Sequence, residues 1–255
     1  MQKILLISLF CLMLPSQSFA DDVTTKFNFD DSYQGEENAK GTDKSTIYDP
    51  FERANRKIFA FNEMLDKNVA LPVVKQYRKS VPQVVRNSVK NFINNITTPF
   101  SVVSSLLQGD GQNSMASFSS FLINTTLGVG GIFDVAGNKN IKYHEEDLGQ
   151  TFGKYGSKSG PYLVIPILGP SDVRDLSGSV VEKLISPFSF NRLEIGGSSN
   201  LISDEAAISL TATNGITARD SLIEVVDDMR KNSFDTYSTM RSAYLQRRQA
   251  LINNK

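Results

Sequence analysis

Few side chains in this sequence are equipped for chemistry. His144 is the only histidine, and it stands in the polar run Tyr143-His144-Glu145-Glu146-Asp147, where carboxylates could orient a general base. A zinc site would have to rest largely on carboxylates, an uncommon arrangement. Serines are plentiful, but the G-x-S-x-G elbow of a serine hydrolase is missing, because Gly156-Ser157-Lys158-Ser159-Gly160 has the wrong spacing. Gly128-Val129-Gly130-Gly131 is reminiscent of a phosphate-cradling loop, yet it follows a helical pattern and lacks the Lys-Ser/Thr pair of a nucleotide site. It reads instead as a helix C-terminus with close backbone packing, or as a hinge. These residues predict no catalytic set, no metal site and no cofactor, so the chain is read as a non-enzyme.

The one cysteine, Cys11, lies in an export signal. Lys3 provides the positive start, residues 4–14 a short apolar run, and Ser18-Phe19-Ala20 a small-x-small cleavage site before Asp21. The apolar run falls short of the roughly 20 residues a spanning helix needs. Residues 1–20 are therefore expected to be a removable signal peptide. Cys11 is a poor lipidation site, since Phe10 fills the position where a small residue belongs and Leu12-Met13-Leu14 continue the apolar run. The expected mature N-terminus is an unmodified Asp21, and an intact mass carrying an acylated Cys11 would overturn that. Without a cysteine the exported chain has no disulfide and depends on packing alone.

Charge is balanced, with 27 Lys and Arg against 27 Asp and Glu. A nucleic-acid binder would normally carry a strongly basic face, so nucleic acid is not an expected partner. Residues 21–46 are polar and poor in apolar side chains, too little to offset the entropy of ordering, and read as a disordered linker. A single domain is expected over residues 47–252.

That domain is predicted to be mostly helical. Asp49, Pro50 and Glu52 have the types of an N-cap, a first helical residue and a capping box. Phe51, Ala54, Ile58, Phe61 and Leu65 then recur at spacings of three and four, and Pro72 interrupts the pattern. A second helix starts after Ser80-Val81-Pro82 and is expected to end at Thr97-Thr98-Pro99. A short one follows to Gly109, and another carries Met115, Phe118, Phe121 and Leu122. From Ile132 to about Pro170 glycines accumulate and the helical period weakens, which predicts a long loop or hairpin. Pro166 demotes its apolar run, Tyr162 to Leu168, to an edge strand or irregular segment. Short helices are expected again around Ala206 to Thr213, Ile216 to Met229 and Tyr237 to Leu251. No run is long and apolar enough to span a bilayer, and no series of alternating strands suggests a barrel. The Phe-rich amphipathic helices either seal their apolar stripes in a core or present them to one leaflet as interfacial helices do; periodicity leaves both readings open.

Several motifs, taken in order, resemble the MlaA (VacJ) family of outer-membrane lipid-asymmetry proteins. They are Tyr48-Asp49-Pro50-Phe51-Glu52-Arg53-Ala54-Asn55-Arg56 continuing to Phe59-Ala60-Phe61-Asn62, residues 124–136, and Glu146-Asp147-Leu148-Gly149-Gln150-Thr151-Phe152-Gly153. Gly160-Pro161-Tyr162 through Arg174-Asp175, and the closing Asp235 to Arg248 with Tyr244-Leu245-Gln246-Arg247-Arg248, complete the set.

The resemblance implies an all-α, ring-shaped amphipathic body with a glycine-rich hairpin element, lying in the inner leaflet of the outer membrane beside a trimeric porin. It implies a polar-lined channel that takes phospholipid misplaced in the outer leaflet, a soluble periplasmic carrier that receives it, and, indirectly, an inner-membrane ABC transporter that drives the process. Phe59, Phe61 and Asn62 become candidate lipid contacts, with core packing as the plainer alternative for the two phenylalanines. Gly128, Gly130 and Gly131 become a candidate hinge, against simple helix termination. Gly149, Gly153, Gly156 and Gly160 belong to a candidate gate running to Gly169, against a static surface loop. Two rival functions are a porin-bound scaffold that transports nothing and a periplasmic lipid hydrolase.

Overall fold

The computed structural model describes residues 48–185 and 204–253. The expected signal peptide and linker lie outside the described residues. The elements are α1 (Glu52–Leu65), α2 (Leu71–Ser80), α3 (Gln83–Leu107), α4 (Gly111–Thr126), α5 (Val135–Asn138) and α6 (Leu148–Lys154). They continue with β1 (Tyr162–Ile165), β2 (Gly169–Asp172), α7 (Val173–Ile185), α8 (Asp204–Ser221), α9 (Ile223–Asn232) and α10 (Thr236–Ile252). No helix among the described residues is long and apolar enough to cross a membrane.

Two prolines expected to stop helices do not. Between α1 and α2 the chain forms a π-helical turn, Asp66–Ala70, and the rod runs on to Ser80. Pro72 has no N–H to donate, and its ring would press on the carbonyl four residues back; a wider turn absorbs that conflict. The amide of Leu71 bonds the carbonyl of Asp66, five residues back, and the side-chain nitrogen of Asn68 donates to the carbonyl of Met64 at 2.7 Å. Pro99 likewise sits inside α3. There the hydroxyls of Thr97 and Thr98 donate to the carbonyl of Asn94 at 3.0 and 2.7 Å, engaging the backbone where the proline weakens the ladder. The two short helices expected on either side of Pro99 are thus one.

Helix starts are marked by aspartates. Asp110, Asp134, Asp147 and Asp235 accept from backbone amides at the N-termini of α4, α5, α6 and α10. Asp49 is an exception to its expected role. Phe51 occupies the N-cap of α1 without a side-chain cap, and the Asp49 carboxylate turns inward.

The glycine-rich middle segment is more structured than the weak period suggested. It contains α5, α6 and an antiparallel hairpin in which Tyr162 pairs with Asp172 and Ile165 with Gly169. β1 stops before Pro166, as its missing donor requires. In the C-terminal third, a single helix α8 replaces the expected break between Thr213 and Ile216.

The apolar core is small. Tyr162 and Val164 of β1 pack with Tyr237 and Tyr244 of α10, and Ile58, Phe59 and Leu245 lean against them. Their rings meet edge to face, Phe59 to Tyr237 at 5.6 Å and Tyr162 to Tyr237 at 6.2 Å. A second cluster surrounds Leu222. Among the described residues, twenty polar or charged side chains are buried against twelve apolar ones, so most of this interior is not oil.

Candidate functional site

Helices α3 and α4 form an antiparallel pair whose pattern is inverted. Along α3 the residues turned inward are Asn95, Thr98, Ser101, Ser105 and Gln108, at helical spacings of three and four. Along α4 they are Asn113, Ser114, Ser117 and Ser120. Val103, Leu106, Met115, Phe118 and Leu122 are exposed on the same two helices. Small polar residues let the two backbones approach closely, as they do between helices in lipid.

The seam holds an extended strap, residues 141–147, that has no strand partner. Side chains serve as the partner instead. The carboxamide of Asn113 accepts from the amide of His144 at 2.7 Å and donates to its carbonyl at 2.9 Å. Ser101 donates to the same carbonyl and accepts from the amide of Glu146 at 2.9 Å. Tyr143 meets the hydroxyl of Thr98 at 2.9 Å. An unpaired buried peptide group is costly, so these residues are what allow irregular backbone to lie inside.

Glu146 ends the strap in a buried position. Gln108 donates to its carboxylate at 2.8 Å, but burial pushes its pKa up to about 7, and the negative charges of Asp147 and Asp110 add to the shift. The buried carboxamide oxygens of Asn95, Gln108 and Gln150 have no hydrogen-bond partner among the described residues. The seam is therefore acceptor-rich. His144 contributes its backbone here; its side chain is exposed. No group of three or more His, Cys, Asp or Glu among the described residues could hold a metal ion.

A second constellation ties the hairpin to α1. Asn55 donates to the carbonyl of Tyr162 at 3.0 Å and accepts from the amide of Val164 at 2.9 Å. Seven residues on, two helical turns along the same face, Asn62 donates to the carbonyl of Ile165 at 2.9 Å and accepts from the amide of Ile167 at 2.7 Å. Each carboxamide imitates a peptide group, and α1 serves as a third strand. Asp49 joins here, accepting from Asn55 at 2.9 Å, Tyr237 at 2.5 Å and Arg241 at 2.7 Å. Burial opposes its ionisation, but these donors prevail and hold its carboxyl below the usual range.

A third cluster joins α6, α7 and α10. Arg248 bonds Asp147 at 2.6 Å and pairs with Asp175, which also accepts from Tyr244 at 2.6 Å. Burial works against the Asp147 charge, yet Arg248 and the α6 amides bring its pKa down to about 2. Glu182 caps the same helix by accepting from the amide of Leu148 at 2.6 Å; burial and the neighbouring Asp147 push it up to about 7.

The structure brings only some of the residues singled out from the sequence into these clusters. Phe59 is half-buried against Tyr237, whereas Phe61 is 44% exposed on the outer side of α1. Asn62 grips the hairpin. Gly128, Gly130 and Gly131 form a tight turn after α4 in which an added Cβ at Gly131 would stand 2.4 Å from the Cβ of Asn95. Gly149 and Gly153 are helical, not loop, and lie within α6 where it touches α7 and α10. Gly156 and Gly160 adopt positive φ in the link to β1. The serine stripes of α3 and α4 were not singled out; their spacing opposite the apolar stripes was the available signal.

A mostly helical body with apolar side chains outward on α3 and α4, a polar seam inward and a clamped hairpin defines the class of fold and site. A family model described as MlaA lipoprotein matches residues 47–251. The chain belongs to this family. It is 33% identical over 219 residues to the intermembrane phospholipid transport system lipoprotein MlaA of Escherichia coli K12, covering 84% of this chain and 82% of that one. An uncharacterised protein of Rickettsia prowazekii is 35% identical over 222 residues, covering 87% and 84%. A solved structure described as the structural basis for maintenance of bacterial outer membrane lipid asymmetry superposes with a TM-score of 0.68 at 33% identity, covering 80% of this chain and 98% of that one.

Proposed function

We propose that this chain is the outer-membrane component of an intermembrane phospholipid transport system. It removes phospholipid misplaced in the outer leaflet through a polar-lined channel and delivers it to a soluble periplasmic carrier, which maintains lipid asymmetry. The ring-shaped body rests in the inner leaflet against a trimeric porin, and an ATP-driven complex of the inner membrane supplies direction. The observation that carries this reading is the inversion of α3 and α4, with serine and asparagine inside and valine, leucine, methionine and phenylalanine outside. A charged headgroup resists entering hydrocarbon because its desolvation is costly, and a polar passage lowers that barrier without covalent chemistry. The names of the Escherichia coli relative and of the similar structure support the same assignment.

Within this reading Phe61 contacts lipid from the outer side of α1, and Phe59 and Asn62 set the position of the hairpin beside the path. Gly149, Gly153, Gly156 and Gly160 lie in the gating element, and Gly128, Gly130 and Gly131 form the hinge beside the path. Deleting the gene and measuring surface-exposed phospholipid tests the function: a rise restored by the intact gene is expected. An unchanged outer leaflet would favour a porin-bound scaffold instead. An engineered disulfide joining the hairpin to α1 is expected to alter outer-leaflet phospholipid when oxidised and to restore it when reduced.

A further inference from the structure

The end of the strap has more acceptors than donors, and the excess is buried. Both amide hydrogens of Gln108 are spent, on the Glu146 carboxylate at 2.8 Å and on the Thr151 hydroxyl oxygen at 3.3 Å. Those two acceptors fix which way the carboxamide points. Its oxygen is left beside Glu146 without a partner among the described residues. Gln150 repeats the arrangement at the same end of the strap. Its nitrogen donates to the Glu145 carbonyl at 3.3 Å and to the Asp147 carboxylate at 3.1 Å, and its oxygen is likewise unmatched. Gln108, Glu146 and Gln150 are 7%, 6% and 1% exposed, so bulk solvent does not satisfy them. Of the charges that bear on Glu146, Asp147 and Asp110 are negative, and Lys154, exposed at the end of α6, answers them in part.

A water molecule brings two hydrogens and no charge, whereas a buried carboxylate among acceptors is best matched by a cation that donates. A primary ammonium supplies a positive charge and three N–H groups. We propose that Gln108 and Glu146 form a binding site for the primary ammonium of a phospholipid headgroup, so that the seam takes ethanolamine lipids in preference to choline or glycerol ones. A trimethylammonium carries the charge but has no N–H for the Gln108 oxygen. A glycerol headgroup has hydroxyls but no cation for Glu146. The site rests on the reading of the polar seam as the lipid's path, and it adds which headgroup that path selects.

The full-length protein, Glu146→Gln and Gln108→Leu are each mixed in detergent with equal amounts of phosphatidylethanolamine, phosphatidylcholine and phosphatidylglycerol of matched acyl chains. After washing, the retained lipid is counted by mass spectrometry. The parent is expected to retain phosphatidylethanolamine about ten-fold over either rival, the worth of one charge-assisted hydrogen bond. Both variants should bring that ratio near one, Glu146→Gln by removing the charge and Gln108→Leu by removing the oxygen, with a cooperative thermal transition showing that each is folded. Equal retention of the ethanolamine and choline lipids by the parent would overturn the site, as would a preference that survives in either folded variant; both results leave the lipid path standing. A parent that retains no lipid would overturn the site and the path together. Ammonium chloride distinguishes the source of the ammonium. Retained phosphatidylethanolamine should stay in place, and its release by the salt at millimolar concentration would make the occupant a free ion and overturn the headgroup assignment.

Discussion

Gly178 of α7 lies so close to Gly149 of α6 that a Cβ built on it would stand 2.4 Å from the Gly149 amide nitrogen. The reverse approach is also tight, since a Cβ on Gly149 would meet Asp175 and Arg248 within 3.0 Å. The two helices touch backbone to backbone at the point where Asp147, Asp175 and Arg248 converge.

Gly178→Ala is therefore expected to destabilise the fold. The obstructing atoms are backbone, which cannot swing aside, and overpacking of this kind costs about 1–3 kcal/mol. For a chain of this size that is a fall of several degrees in Tm, read by thermal denaturation in detergent. A Tm within a degree of the parent would refute the close packing.

Arg248→Ala should be the most damaging single change in the α6, α7, α10 cluster. It takes from the partly buried Asp147 its arginine and leaves Asp175 with Arg174 alone, and losing one partner of a fully buried pair costs about 3–5 kcal/mol, an upper bound here. The defect should be relieved in part on mild acidification, because the Asp147 carboxyl, which Arg248 holds low against its burial, takes up a proton more readily without it. Equal loss of stability at pH 5 and pH 8 would contradict this account.

Glu146 and Glu182 set a pH dependence of the opposite sign from that of Asp147. Burial raises both glutamates to about 7, so between the ordinary value of 4.5 and about 7 the folded chain holds protons the unfolded chain has released. Stability then falls as pH rises through that window. Asp147, held at about 2, adds stability above the ordinary 3.8 that is lost only on acidification below it. Glu146→Gln is expected to flatten part of the slope between pH 5 and 7 and to raise stability at pH 8 by on the order of 1–2 kcal/mol. Denaturant titrations across that range check both; an unchanged slope would count against the buried charge.

Asn62→Leu removes one rung of the clamp between α1 and the hairpin. The Ile165 carbonyl and the Ile167 amide lose their partners, at about 1–3 kcal/mol for each group left unsatisfied. Hydrogen exchange at Ile167 should accelerate ten-fold or more while protection in α3 and α4 stays unchanged. Asn55→Leu should act likewise at Val164. If neither amide responds, the carboxamides are not what positions the hairpin.

Much of the helical architecture was legible because amphipathic period and glycine punctuation are local signals. Met115, Phe118 and Leu122 mark α4, and Ser80-Val81-Pro82 marks the break before α3, without reference to anything distant. Where the reading failed, tertiary context had overridden a local rule. Pro72 and Pro99 are carried by a π turn and by threonine hydroxyls. Asp49 has the right type for an N-cap but is drawn to Tyr237 and Arg241, far along the chain. Gly149 and Gly153, which look like loop residues, lie in a helix capped by Asp147, where α7 and α10 pack too closely for a side chain.

By itself the sequence determined a mainly helical body and the ordered motifs of the MlaA family. It left open which way each amphipathic stripe turns, because a period of 3.6 places apolar and polar residues on opposite faces without saying which face is inside. The tertiary structure decided that. The serines and asparagines of α3 and α4 face each other and bind the extended strap of residues 141–147, and the apolar side chains are left to the surroundings. Only the partners available to buried peptide groups settle such a choice, and those partners come from residues remote in sequence.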